Sequence, residues 1–139
     1  MPVVSCPSCG KRARVREAAP GLPRCPGCSA YLPWLVEATD ASFEGEAAAS
    51  VPVLVDLWAP WCGPCLAVAP VLERLAARHA GRIKIVKVNT DENTAVARRF
   101  DASSIPLLVV LQGGQVAERI VGAQPLPALE ARLAPFLGV

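Results

Sequence analysis

A chain of 139 residues has room for one ordinary domain, commonly ~100–150 residues, plus a small appendage, and two large domains are excluded. Its hydrophobic share of 53% lies above the ~45–50% of soluble domains and its charged share of 19% below the usual ~25%, so a packed core is available. A net charge of +2 excludes a strongly basic nucleic-acid binder as the reading of the whole chain.

That charge is unevenly distributed. Residues 1–33 carry Lys11, Arg12, Arg14, Arg16 and Arg24 against Glu17 alone, a local +4, which leaves −2 for the remainder. The first residues lack the charged and apolar regions of a secretory signal, and no run approaches the ~18 apolar residues of a membrane span. A soluble, cytoplasmic protein is the expectation. In that compartment six cysteines point to metal ligands or redox groups, because ordinary thiols are kept reduced there. They form three Cys-x-x-Cys pairs: Cys6/Cys9, Cys25/Cys28 and Cys62/Cys65.

From Cys6 to Trp34 the chain is dense in Pro, Gly, Ser and Arg, with too little apolar periodicity to fold by collapse alone. From Leu35 onward, short apolar runs alternate with Ala-rich amphipathic stretches, the pattern of a βαβ protein. A boundary at residues 33/34 follows, giving a module over 1–33 and a domain over 34–139. Leu35–Ala38 reads as a strand, and a Thr39 or Asp40 cap then opens a helix to about Ala49. Val53–Trp58, apolar on both faces apart from Asp56, reads as a central strand covered on each side. A long helix follows Cys62, with Val68, Leu72, Leu75 and Ala76 at helical spacing, an end near Ala80-Gly81, and a kink expected at Pro70. Ile83–Val88 is the next strand and Asn93–Phe100 a short helix. Leu107–Leu111 and Val116–Ile120 form a hairpin about Gly113-Gly114, and Pro127–Leu137 is the last helix.

A Cys-x-x-Cys between a strand and a helix puts two sulfurs on one face within disulfide reach. Cys62 stands at the helix start, where free N–H groups and the macrodipole favour the thiolate that attacks disulfides, so Cys62 is read as nucleophile and Cys65 as resolving thiol. Asp56 is the candidate base for Cys65, since burial raises a carboxylate toward a useful range. A buried ion pair with Lys87, without proton transfer, is the alternative, and both share one geometry. His79 reads as a plain surface residue.

The segment Val53-Leu54-Val55-Asp56-Leu57-Trp58-Ala59-Pro60-Trp61-Cys62-Gly63-Pro64-Cys65 resembles the active-site signature of the thioredoxin family, and the likeness runs from about Leu35 to the C-terminus. The resemblance implies an α/β thioredoxin fold, a five-stranded mixed sheet flanked by four helices. It matches Ser104-Ile105-Pro106 to the family's cis-proline loop beside the active disulfide. It also implies that Trp61, Ile105, Pro106, Gly122 and Ala123 line a groove for a partner's extended chain, and that Asp56 and Lys87 occupy the family's buried acid and lysine positions. Gly63 and Pro64 resemble the reducing members of the superfamily. The sequence departs from the commonest pattern at Leu66, where a basic residue often stands, and at Leu107, where a threonine often follows the proline.

Cys6-Pro7-Ser8-Cys9 and Cys25-Pro26-Gly27-Cys28, fifteen residues apart, suit two knuckles presenting four thiolates to one zinc ion, whose bonds supply the folding energy that a core this small cannot. Two redox-active dithiols or an unmetallated tail are the competing readings. The arrangement resembles the thioredoxin-2 subfamily, in which a four-cysteine zinc ribbon precedes the thioredoxin domain. The local +4 lacks aromatic interleaving, so nucleic acid is disfavoured against a solvated basic face.

A protein-disulfide reductase, monomeric and re-reduced by a separate thioredoxin reductase, is the leading expectation. The chain has no Gly-x-Gly-x-x-Gly fingerprint for its own flavin or nicotinamide. The rivals are a zinc- or redox-sensing adaptor and a thiol-independent chaperone.

Overall fold

The computed structural model describes residues 3–15 and 21–138. Arg16 and Glu17 of the charge reading lie outside that range. Eleven elements are described: β1 (Val3–Ser5), β2 (Arg12–Arg14), β3 (Leu35–Glu37), α1 (Phe43–Ala47), β4 (Val53–Trp58), α2 (Gly63–Arg78), β5 (Lys84–Asn89), α3 (Thr94–Arg99), β6 (Leu107–Gln112), β7 (Gln115–Val121) and α4 (Leu126–Leu137).

The buried run Val53–Leu57 of β4 places it at the centre of a five-stranded mixed sheet of order β3-β5-β4-β6-β7. β3 and β4 both pair with β5 in parallel, while β6 pairs antiparallel with β4 and with β7. Gly113 and Gly114, both at positive φ, make the β6–β7 turn that the sequence predicts. Period-2 alternation sends Val53, Val55 and Leu57 to one face and Leu54 to the other. Each face has its own core. α2 and α4 cover one through Leu72, Leu75, Leu129 and Leu133, and Phe43 and Val96 of α1 and α3 lie in the other.

Three expectations are corrected. α1 begins at Phe43, because Thr39–Ser42 close a turn of their own (Ser42 N–H to Thr39 O, 3.2 Å; Thr39 N–H to Ser42 Oγ, 2.8 Å). Asp40 caps a different helix: its carboxylate accepts the N–H groups of Ala95 and Val96 at the start of α3, at 3.3 and 2.9 Å. His79 is half-buried, with Nε2 2.7 Å from Glu130 of α4, and is not a plain surface residue.

The N-terminal module is a β1–β2 hairpin and two cysteine knuckles, and its core is continuous with that of the larger sheet. Cys6, Ala13, Val15, Cys25, Leu32 and Trp34 pack in the same buried cluster as Val36, Phe43, Val53 and Leu111. At the seam, Lys84 and Glu46 form an ion pair at 3.0 Å with their side chains 1% and 2% exposed, and the ammonium lies 4.5 Å from the centre of the Trp34 ring. Alternation along β5 aims Lys84 at the face of Val86 and Val88, so the charge is desolvated and needs its partner. Tyr31 rests on Gly81 at the α2–β5 turn. Only glycine fits there, since φ is +87° and an added Cβ would come within 2.5 Å of the ring.

Glu46→Gln therefore leaves the Lys84 ammonium buried against a neutral amide and is expected to lower unfolding free energy by about 3 kcal/mol in urea titration. Glu44→Gln, at an exposed pair with Arg99, is expected to cost under about 0.5 kcal/mol.

Candidate active site and metal centre

β4 ends at Trp58, and the chain turns through Ala59, Pro60 and Trp61 into α2, whose N-cap is Cys62. The Cys62 Sγ accepts the Cys65 N–H at 3.2 Å, satisfying one of the free donors of the helix start. Cys62 and Cys65 are joined in a disulfide with Cα atoms 5.2 Å apart, and are 5% and 2% exposed. Gly63 and Pro64 are the first residues of α2, where a proline's missing N–H costs nothing. The Ile105–Pro106 peptide is cis, and the Ile105 carbonyl oxygen lies 3.8 Å from Cys62 Sγ. Gly122, at φ +90°, donates its N–H to the Pro106 carbonyl at 2.9 Å and brings Ala123 to the surface beside the proline loop.

Trp61 is 70% exposed, and its indole N–H is shared between the two oxygens of Asp91, at 3.1 and 3.0 Å. Sequence reasoning missed Asp91. Its signal is the polar run Asn89–Asn93 after β5, because parallel strands gather their functional loops at their C-terminal ends.

Asp56 is paired in register with Lys87 on one side and Leu108 on the other. It is 1% exposed, and neither carboxylate oxygen has a hydrogen-bond partner among the described residues. Burial pushes its pKa up to about 6, against a smaller lowering pull from Lys87. The Lys87 ammonium stands 4.9 Å from the centre of the Trp58 ring.

The N-terminal cysteines form a second centre. The two knuckles repeat one design: Cys6 O accepts the Gly10 N–H at 2.9 Å, and Cys25 O accepts the Ser29 N–H at 2.8 Å. Backbone N–H groups also reach the sulfurs, Ser8 to Cys6 at 3.4 Å and Gly27 to Cys25 at 3.3 Å. The knuckle amides, Cys9 first, bring the Cys6 thiol down to about 6, and those of Cys28 and Gly27 lower Cys25. All four sulfurs lie within 4.8 Å of one another, with Cys6–Cys28 and Cys9–Cys25 at 3.6 Å. A tetrahedron with ~2.3 Å metal–sulfur bonds has edges of about 3.8 Å, so these residues are positioned to hold one metal ion.

Residues 34–135 match the sequence profile of the thioredoxin family, described as Thioredoxin. The chain belongs to the thioredoxin family. Thioredoxin 1 of Nostoc sp. (strain PCC 7120) is 50% identical over 102 residues, covering 73% of this chain and 95% of that protein. Thioredoxin of Bacillus subtilis is 49% identical over 96 residues, covering 69% and 91%, and that of Alicyclobacillus acidocaldarius is 46% identical over 99 residues, covering 71% and 94%. With its Cys-x-x-Cys at the family's position, the chain is a thiol–disulfide oxidoreductase. No helix among the described residues is long and apolar enough to cross a membrane.

A carboxyl whose pKa is about 6 in the folded chain and ~3.9 unfolded holds more protons folded than unfolded between those values, so its contribution to stability falls as pH rises through that window. Asp56→Asn is accordingly expected to stabilise the chain at pH 8 by about 2–3 kcal/mol, each pK unit being worth ~1.36 kcal/mol. Denaturant midpoints should show the gain shrinking below pH ~6 and gone near pH ~3.5.

Proposed function

We propose that this chain is a protein-disulfide reductase that cycles Cys62 and Cys65 between dithiol and disulfide through a mixed disulfide with partner proteins. The observation that carries this reading is the Cys62 sulfur at the N-cap of α2, receiving a backbone N–H and lying beside the cis-proline loop. In the reduced chain the Cys62 thiolate attacks one sulfur of the partner's disulfide. A new S–S bond forms as the partner's bond breaks, and the partner's second sulfur leaves as a thiolate that takes a proton from water. Cys65 then gives up its proton and attacks Cys62 Sγ. The mixed disulfide breaks, the partner's remaining thiolate departs, and two electrons have passed to the partner.

Asp56 accepts the Cys65 proton, directly or through one water, and its raised pKa suits it to that exchange. Lys87 offsets part of the cost of ionising Asp56. Trp61, Gly63, Pro64, Ile105, Pro106, Gly122 and Ala123 hold the partner's extended chain across the disulfide. Electrons return through a thioredoxin reductase in the cytoplasm. Cys6, Cys9, Cys25 and Cys28 hold zinc, which suits a closed four-thiolate site and supplies folding energy to residues 1–33, the module preceding the domain of 34–139.

Insulin reduction driven by a thioredoxin reductase and its nicotinamide cofactor tests the reading. Cys62→Ser is expected to lower turnover by on the order of 10³ or more, since no second nucleophile replaces it. Cys65→Ser is expected to accumulate the mixed disulfide, visible as a mass adduct. A native chain without turnover, or an active Cys62→Ser chain, overturns it. Elemental analysis should find one zinc per native chain, lost in Cys25→Ser.

A further inference from the structure

Leu66 is the fourth residue of α2 and is 52% exposed. Its N–H donates to the Cys62 carbonyl at 3.1 Å, so it lies one turn on from Cys62, on the same side of the helix. It belongs to none of the three buried clusters and contributes nothing visible to the core. An exposed leucine beside a reacting sulfur therefore needs an explanation that packing does not supply.

Its surroundings offer one. The segments that build this end of the molecule, residues 59–66, 102–107 and 121–126, contain no Asp, Glu, Lys or Arg. Trp61, the residue before Cys62, is 70% exposed. Val121, 58% exposed, is paired with Leu107, the residue after the cis-proline. Of the charges nearby, Asp91 accepts the Trp61 indole N–H and Lys87, on β5, lies against the Trp58 ring. Glu92, Arg98 and Asp101 belong to the β5–α3 loop and the end of α3. Cys62 thus sits in a largely apolar collar, with the Asp91 carboxylate held at its Trp61 edge.

We propose that Leu66 is a specificity-determining residue, extending this collar along α2 so that the site selects partner segments with an apolar side chain beside their disulfide over segments with an acidic one. The inference rests on the disulfide-reductase reading above. An apolar neighbour of the partner's cysteine loses water against Leu66 and Trp61. A carboxylate placed there loses hydration without gaining a cation, and it is repelled by the attacking Cys62 thiolate. The positive end of α2 does not reverse this preference, since the thiolate already occupies it.

The test uses the full chain, pre-reduced, and two symmetric peptide disulfides, Gly-Cys-Leu-Gly and Gly-Cys-Glu-Gly with blocked ends. Thiol release is followed by stopped flow, and each rate is divided by that given by dithiothreitol, which removes the peptides' intrinsic reactivity. The native chain is expected to favour the leucine peptide about fivefold, and Leu66→Lys to bring the ratio to about one or below by supplying the missing cation. Val116→Lys adds the same charge at the far end of β7, opposite Leu111, and should keep the native ratio. A native ratio near one, or an unchanged ratio in Leu66→Lys, overturns the inference. A native chain that reduces neither peptide while dithiothreitol reduces both overturns the reductase reading beneath it.

Discussion

Burial of β4 on both faces is the constraint from which the site follows. A strand covered by α2 and α4 on one side and by α1 and α3 on the other must be apolar throughout, and Val53, Leu54, Val55 and Leu57 are each 2% exposed or less. Asp56 is the exception, so its carboxylate meets the desolvation that lifts its pKa. The same strand, held in register by β5 and β6, fixes where the chain emerges, and four residues after it ends Cys62 caps α2. Asp56 and the Cys62 sulfur are both set by one rigid element. The cis-proline loop reaches the sulfur because β6, which follows Pro106, is the antiparallel neighbour of β4.

The cysteine module is joined to this scaffold as part of its core. Cys6 and Cys25 face inward and are buried, while Cys9 and Cys28 face outward and are exposed, so a bound metal would stand between the shared core and solvent. Tyr31 on Gly81 makes a further attachment, and Trp34, the first residue of the domain, lies over the Lys84–Glu46 pair. A buried ion pair adds little net stability compared with an apolar replacement, but it penalises any arrangement in which its partners separate. Here it holds α1 against β5 beneath Trp34, at the point where the chain enters the domain.

Much of this was legible in the chain. The run Val53–Trp58 and the spacing of Val68, Leu72, Leu75 and Ala76 announce β4 and α2 because their periodicity is imposed by burial. β1 and β2 were not legible: at three residues each, they are held by backbone bonds such as Cys6 N–H to Lys11 O, which leave no hydrophobic pattern. Lys84 is the second residue of the strand read over Ile83–Val88, and only the sheet shows which face it occupies. Gly63 and Pro64 could be placed from the cysteine spacing, whereas Asp91 reaches Trp61 across 30 residues, and no local rule connects them.

The same separation governs α3. Six residues make a helix too short to persist alone, and Asn93 at its N-cap makes no side-chain capping bond. Its first turn is instead completed by Asp40, which precedes Ala95 by 55 residues and sits in the turn before α1, while the Asp40 N–H is held by Asn93 Oδ1 at 2.8 Å. The two turns cap each other only after β4, α2 and β5 have brought them together. The cap of α3 is therefore a tertiary contact, and its amides report on the integrity of the β3–β5–β4 arrangement that holds Asp40 in place more than on the six residues that compose the helix.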